Sequence, residues 1–405
     1  MNNIKTFFKS LLPGIFLFGF TVGTGSVTAM AKAGADYGMS LLWTIFISCA
    51  ITYFLIHLFG KFTLVTGLTA LQSFRKHIHP AVAIFFIVAL TTQICGSVIG
   101  VMGILADVCY EWSKNFIDGG ISPIYFALFF ITFVYAVFLI GRTEVFEKVL
   151  AFFVAIMALC FLINFFILMP PAMEILKGMV PNVPDTGPDK NSFLVIASMV
   201  GTTIFSGLFI LRTILVKEAG WTMADLFSAF LMFIVSTAIM AAAAGSLFIQ
   251  GITLVNVTQM IYLLEPLAGA SAVAIFTIGL IAAGVSSQFP NVALLPWLLD
   301  DFHERKPNLK RPSYRVMALV ISSLGLIVPI FNAKPIAVMV GSQAFGALVL
   351  PATVACIFYI GNIKSLMGEY KFSKITNIIL LLIFVFALVM SYMSFTGILS
   401  TLQAL

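Results

Sequence analysis

Long apolar stretches dominate the chain, and short polar connections separate them. Because about 20 apolar residues are enough to cross a bilayer as a helix, the sequence predicts about eleven membrane-spanning helices. Their predicted ranges are 11–33, 39–59, 81–108, 122–141, 146–169, 192–216, 225–249, 267–289, 313–332, 335–360 and 375–400. No connection has the length and polarity of a soluble domain, so residues 1–405 are expected to form a single, all-α transmembrane domain.

The first predicted helix is interrupted by small and hydroxyl-bearing residues. From Phe18 to Thr28 it reads Phe-Gly-Phe-Thr-Val-Gly-Thr-Gly-Ser-Val-Thr. Glycine costs a helix interior about 1 kcal/mol relative to alanine, and this stretch holds Gly19, Gly23 and Gly25. Irregular backbone at membrane depth occurs only where it is buried in protein or lines an aqueous cavity. The pattern favours a broken helix at a substrate site, with tight packing of small residues between helices as the alternative.

The sixth predicted helix repeats this feature. Its interrupting residues are Gly201, Thr202, Thr203, Ser206 and Gly207. Segments one and six each open a block of five predicted helices, and interrupted helices at matching positions of two halves indicate an inverted-repeat transporter with a midplane site. The repeats are expected over about 11–169 and 192–360, with an additional helix at 375–400.

Composition supports a membrane protein and argues against several other classes. Of the 405 residues, 61% are hydrophobic and 9% are charged, whereas soluble domains carry about 25% charged residues. The five cysteines are scattered without a CxxC pair, so neither a disulfide framework nor a zinc site is expected. No nucleophile, base and acid lie at a common depth, so no enzyme is expected.

The expected partners are the lipid bilayer and a small solute or ion, not nucleic acid, and the chain is expected to act as a monomer.

Lysine and arginine are distributed unevenly between the two sides. If the N-terminus is cytoplasmic, most of them fall on cytoplasmic connections, including Arg75, Lys76, Arg305 and Lys306. The opposite side keeps Lys32, Lys114, Lys177, Lys190 and Lys334. The positive-inside rule therefore predicts a plasma or inner membrane protein with a cytoplasmic N-terminus and, since the number of helices is odd, an outside C-terminus.

Several short, collinear motifs resemble the Nramp family of divalent-metal transporters. They are Ala33-Gly-Ala-Asp-Tyr-Gly-Met-Ser-Leu-Leu-Trp43, Tyr262-Leu-Leu-Glu-Pro-Leu-Ala-Gly269, Ala282-Ala-Gly-Val-Ser-Ser287, Ser342-Gln343 with Leu350-Pro351, and Leu366-Met-Gly-Glu369. The resemblance implies the LeuT-type fold, in which two inverted five-helix repeats are followed by an eleventh helix.

This chain departs from the family pattern at the positions that bind metal. Where the family has Asp-Pro-Gly-Asn in helix one, an ungapped alignment places Gly23-Thr24-Gly25-Ser26. Phe205-Ser206-Gly207 replaces Met-Pro-His in helix six, with Thr202 at a backbone-ligand position. Other family positions fall on Gln93 and Gly96 in helix three, Arg212 in helix six and Val349 in helix ten. No carboxylate, thioether or imidazole remains there to offset dehydration of a transition metal, so no resident metal site is expected.

Free N–H groups at a half-helix N-terminus attract anions and carboxylates. The sequence therefore predicts transport of a small organic solute or anion, such as an amino acid or a carboxylate, by alternating access. The predicted substrate-binding residues are Gly23, Thr24, Gly25, Ser26, Gln93, Thr202, Thr203, Phe205, Ser206 and Gly207. Transport of a divalent cation, Mg²⁺ or Mn²⁺, is the alternative, and a non-transporting receptor is a third hypothesis.

No cofactor is expected. Coupling to Na⁺, coupling to H⁺ and uncoupled transport are all open alternatives. Hydroxyls of helix eight that meet unwound helix one hold Na⁺ in many carriers of this fold. The positions that would form such a sodium site here are Gly19, Val22, Ser286 and Ser287. Capping of the helix by the two serines is the alternative.

Overall fold

The computed structural model describes residues 19, 22–140, 152–153, 155–156, 158–163, 166, 171–185, 190–219, 224–261 and 265–403. Its helices are α1 (Thr24–Tyr37), α2 (Leu42–Thr66), α3 (Ala70–Ser73), α4 (Pro80–Ser113), α5 (Pro123–Ile140), α6 (Ala172–Gly178), α7 (Ser192–Thr203), α8 (Ser206–Ala219), α9 (Ala224–Ala243), α10 (Val257–Ile261), α11 (Glu265–Phe302), α12 (Pro312–Ser323), α13 (Ile327–Phe331), α14 (Pro335–Gly361), α15 (Lys364–Met367) and α16 (Lys374–Gln403). Two π-helical turns, Phe74–Ile78 and Ala244–Phe248, extend α3 and α9.

Nine stretches of the described residues are long and apolar enough to cross a membrane, α7 and α8 counting together as one. They correspond to nine of the predicted segments, and the predicted all-α membrane fold is confirmed. The first segment is described only at residue 19 and from residue 22 onward, and the fifth lies largely outside the described residues.

The predicted end of the eighth segment at residue 289 is wrong, because α11 continues to Phe302. Pro290, within the helix, suggested an end, and Pro296 follows it. Prolines are tolerated in transmembrane helices where neighbouring groups satisfy the freed backbone carbonyls, and α11 packs along α4. The extension places Asp300 and Asp301 in the last turn of a helix.

The helices pack in two groups joined by α14. The first group contains α1, α2, α7, α8 and α9, and the second contains α4, α5, α11 and α12. Helix α14 packs against both, chiefly through α7 and α4. The α7–α14 crossing is close enough that a Cβ on Gly201 would lie 2.0 Å from the backbone oxygen of Gln343. Gly201 is therefore required at this crossing, which forms one wall of the site described next.

Candidate functional site: a neutral cavity between two broken helices

The first break lies immediately before α1. Val22 and Gly23 form a bend, and Gly23 is the extended N-cap residue, with φ −97° and ψ −168°. Because no side chain caps this helix, the N–H groups of its first turn lack a protein acceptor of the usual kind. The break is narrower than predicted, since Gly19 is helical and Thr24, Gly25 and Ser26 already belong to α1.

The second break separates α7 from α8 and confirms the predicted interruption of the sixth segment. Ile204 and Phe205 are non-helical, and the Ile204 N–H closes the last turn of α7 by donating to Val200 O at 2.7 Å. The hydroxyl of Thr52 donates to Thr203 O at 2.8 Å. Carbonyls at a helix C-terminus carry partial negative charge, so the site has one helix end that attracts cations and, at α1, one that attracts anions.

A cavity lies between these breaks. It is lined by Gly23, Gly25, Ser26, Gln93, Ile94, Ser97, Thr202, Phe205, Ser287, Asn291 and Gln343. Every polar side chain in this lining is a neutral hydroxyl or amide. Among the described residues, no group of three His, Cys, Asp or Glu side chains is placed to hold a metal ion.

Seven of the predicted site residues line the cavity. They are Gly23, Gly25, Ser26, Gln93, Thr202, Phe205 and Ser287. Glycine is required at residue 23, because a Cβ there would lie 2.3 Å from the Cβ of Ser287. This close approach brings the first break of the bundle directly against α11, as the predicted sodium site requires.

The other predicted site residues are buried beside the cavity rather than in its lining. The hydroxyl of Thr203 donates to Met199 O within its own helix, and that of Ser206 accepts from Thr353 of α14 at 2.7 Å. Ser286 bonds to Ala283 O in α11. Gly207 leaves space for the Phe205 ring, since a Cβ at residue 207 would lie 2.5 Å from it. Gly19, Val22 and Thr24 are also absent from the lining.

The structure adds cavity residues that sequence reasoning missed, above all Gln343. The ligand position of helix ten was placed on Val349, but Val349 is a buried apolar residue and Gln343 lines the cavity. The distances along the sequence within two residue pairs could have revealed the other two missed polar residues, Ser97 and Asn291. Ser97 lies four residues after Gln93, and Asn291 lies four residues after Ser287, so each pair shares a helix face.

The lining has unused hydrogen-bonding capacity. Asn291 Nδ2 donates to Ser97 Oγ at 3.2 Å, whereas the buried Oε1 of Gln93 has no hydrogen-bond partner within the part of the chain that the structure describes. A buried polar atom without a partner costs about 1–3 kcal/mol. A cation, a water molecule or a polar solute in the cavity would relieve this cost.

Two helix breaks that meet at a polar cavity inside a membrane bundle define a transporter of the inverted-repeat class. The sequence matches the family model of Nramp, natural resistance-associated macrophage protein-like, over residues 15–396. The chain belongs to this family.

Relatives and solved structures agree with this assignment. The divalent metal cation transporter MntH of Granulibacter bethesdensis is 24% identical over 374 residues, covering 88% of this chain and 81% of the relative. MntH of Clostridium acetobutylicum is 24% identical over 429 residues, covering 98% and 93%. The manganese transporter of Eremococcus coleocola superposes with a TM-score of 0.71 at 16% identity, covering 97% of this chain and 87% of that one. Inward-facing Mhp1 gives 0.62 at 14% identity, covering 96% and 88%.

Proposed function

We propose that the chain transports a divalent metal cation across the plasma membrane, and that the ion keeps part of its water shell in the central cavity. The observation that carries this proposal is the neutral, oxygen-rich lining beside the C-terminal end of α7. That helix end attracts cations. The curated relatives named as divalent metal cation transporters support the same class of cargo.

Partial hydration follows from the chemistry of the lining. Imidazole and sulfur ligands select the softer transition metals, whereas carbonyl and water oxygens suit Mg²⁺ and Mn²⁺, and the lining offers hydroxyl and amide groups. Mg²⁺ dehydrates reluctantly and usually keeps several waters. The cavity leaves about 40 Å³ for the centres of water-sized molecules; since one water needs roughly 10–15 Å³ of such space, an ion fits there with only a few of its waters. We therefore expect weak binding and little preference for Mn²⁺ over Mg²⁺.

A small organic solute or anion is the second candidate cargo, and the start of α1 favours it. The uncapped first turn after Gly23 can bind a carboxylate through backbone N–H groups, and the Phe205 ring provides an apolar wall. The cation would bind beside the end of α7, and the organic solute or anion beside the start of α1. Binding experiments with both kinds of ligand therefore distinguish the two candidates.

Coupling to Na⁺ would depend on Ser287. This residue lies against Gly23 and lines the cavity, whereas the Ser286 hydroxyl bonds to its own helix. The lining contains no carboxyl or imidazole group that could exchange a proton near neutral pH. We therefore place Na⁺-coupled or uncoupled transport ahead of proton-coupled transport. No cofactor is part of the proposal, and the N-terminus is taken as cytoplasmic from the distribution of basic residues.

The test is uptake by purified protein in liposomes loaded with indicators for Mg²⁺ and Mn²⁺. Gly25→Ala is the loss-of-function variant, because a Cβ at residue 25 would lie 2.4 Å from Gln343 Nε2 and intrude on the cavity. Gly341→Ala is the matched control, because no atom lies within 4 Å of the Cβ added there. We expect saturable cation uptake that Gly25→Ala lowers and Gly341→Ala does not. Uptake of amino acids or carboxylates without cation uptake would favour the second candidate.

A further inference from the structure

The last turn of α11 carries two adjacent buried carboxylates, Asp300 and Asp301. They lie at the end of the bundle that the basic residues predict to be cytoplasmic. Asp301 borders a second cavity, of about 930 Å³. This cavity is lined by Thr69, Gln72, Ile214, Lys217, Asp301, Glu304, Arg305, Lys306 and Pro307.

Asp301 is bound entirely from outside its own helix. The Thr69 hydroxyl lies 2.8 Å from both carboxylate oxygens, and Gln72 Nε2 donates to Oδ1 at 2.7 Å. The other end of the Gln72 amide accepts from Lys217 Nζ of α8 at 2.9 Å. The Gln72 side chain thus connects a buried carboxylate to a cationic amine. Hydrogen bonds to charged groups are the strong ones in proteins.

These bonds form a chain that runs from α11, through Thr69 and Gln72 at α3, to Lys217 of α8; α3 contacts both α11 and α8 and belongs to neither packing group. Asp301 belongs to α11 and therefore to the group with α4, whereas Lys217 belongs to α8, which packs mainly on α2. Thr69 caps α3, the short helix that follows α2. Glu304 adds a peripheral contact by pairing with Arg75 and with Lys76 at 2.8 Å. The hydrogen bond from Lys76 lowers the pKa of Glu304, so this contact persists at neutral pH.

Asp300 provides an internal contrast. Its carboxylate accepts from Arg311, from the Tyr314 hydroxyl at 2.6 Å and from the Asn308 N–H at 2.9 Å. All three partners lie in the α11–α12 connection or in α12 itself, within one packing group. Asp300 therefore fixes the local turn, and Asp301 joins α11, through α3, to α8 of the opposite group.

We propose that Asp301, Thr69, Gln72 and Lys217 form a latch that holds this end of the bundle closed and must open during each transport cycle. Alternating access moves one group of helices against the other around a fixed site, so contacts that cross between groups set the balance between the two conformations. The proposal rests on the transport function but not on the identity of the cargo.

The test measures access to the central cavity rather than flux. The reporter is Ser97→Cys, a cavity position, in a chain whose native cysteines are replaced by alanine. These are Cys49, Cys95, Cys109, Cys160 and Cys356. A membrane-impermeant maleimide is applied to membrane vesicles from the side of Asp301 and, separately, from the opposite side. The compared variants are Asp301→Asn, Thr69→Val and the matched control Asp300→Asn.

We expect Asp301→Asn to accelerate labelling from its own side about tenfold, as expected for loss of charge-assisted hydrogen bonds. Thr69→Val keeps the carboxylate and the side-chain shape and should give a smaller increase, and Asp300→Asn should match the parent. Equal labelling of Asp301→Asn and Asp300→Asn would overturn the latch. If Asp301→Asn does not fold, the Thr69→Val variant alone tests the latch. Labelling of Thr69→Val no faster than that of the parent would then reject the proposal. Because labelling needs no cargo, failure here is distinguishable from failure of the proposed cation transport.

Discussion

The central cavity and the Asp301 end of the bundle differ in how they use charge. The cavity is lined by neutral hydroxyls and amides, and the Asp301 end holds two buried carboxylates with lysine and arginine partners. The opposite end is also charged, since buried Asp36 pairs with Lys32 at 2.8 Å. The charged contacts among these residues therefore lie near the ends of the bundle, both within helices and between them. The cargo meets neutral dipoles at the centre, where a fixed charge would select strongly for the opposite sign.

The largest predicted effect concerns the crossing that forms the cavity wall. Gly201→Ala would place a Cβ 2.0 Å from Gln343 O, so α7 and α14 must separate. Overpacking of this kind costs typically 1–3 kcal/mol, and we expect roughly 3 kcal/mol because the clash is with backbone. Thermal unfolding in detergent measures it. Gly341→Ala is the control on α14, the helix that crosses α7 at Gly201, and equal melting temperatures for the two variants would contradict the close crossing.

The second prediction compares a charged contact with a neutral one. Asp300→Asn weakens the bonds to Arg311, Tyr314 and the Asn308 backbone, and we expect a loss of roughly 2 kcal/mol. Ser97→Ala in the cavity removes one neutral hydrogen bond from Asn291 and should cost about 1 kcal/mol or less. Thermal unfolding of both variants tests the ranking. A larger loss for Ser97→Ala would show that the cavity contributes more stability than the charged end.

The third prediction adds charge to the neutral region. Gln343→Glu introduces a carboxylate in the cavity lining with almost no change in shape. If a cation binds there, its affinity should rise about tenfold, equivalent to roughly 1.4 kcal/mol. Calorimetry with Mn²⁺ and Mg²⁺ measures the change. Gln250→Glu adds the same charge at an exposed position and serves as the control. An unchanged affinity in Gln343→Glu would place the cation elsewhere.

The smallest predicted effect separates two adjacent serines. Ser287 lines the cavity beside Gly23, whereas Ser286 is fully buried and bonds within α11. We expect Ser287→Ala to lower the affinity for cargo, or its dependence on Na⁺, severalfold, as for one lost hydrogen bond or ligand contact. Ser286→Ala should leave both unchanged. Ligand-induced shifts in melting temperature, with and without Na⁺, measure the difference. Similar losses in both variants would indicate an effect on the helix rather than on binding.

Sequence features and the family resemblance predicted the fold and seven of the eleven residues that line the cavity. Glycines and hydroxyls at Gly23–Ser26 and Gly201–Gly207 indicated both breaks, because they weaken a helix within their own segments. The length of α11 was missed because Pro290 suggests an end that neighbouring helices remove. Gln343 was missed as a cavity residue because the helix-ten position was placed on Val349, which is buried and absent from the lining. The latch was not predictable, since Thr69 and Asp301 are 232 residues apart and meet only in the folded bundle.

The central claim is that a protein of a metal-transporter family moves divalent cations through a cavity lined by neutral groups. Identifying what the protein transports tests this claim most directly. Purified protein in liposomes would be given Mg²⁺ and Mn²⁺ at matched concentrations, with amino acids and carboxylates in parallel, each with and without Na⁺. We expect saturable uptake of both cations with little discrimination between them, and loss of uptake in Gly25→Ala but not in Gly341→Ala. Saturable uptake of an organic solute, with no flux of either cation, would contradict cation transport and assign the cavity to the second candidate.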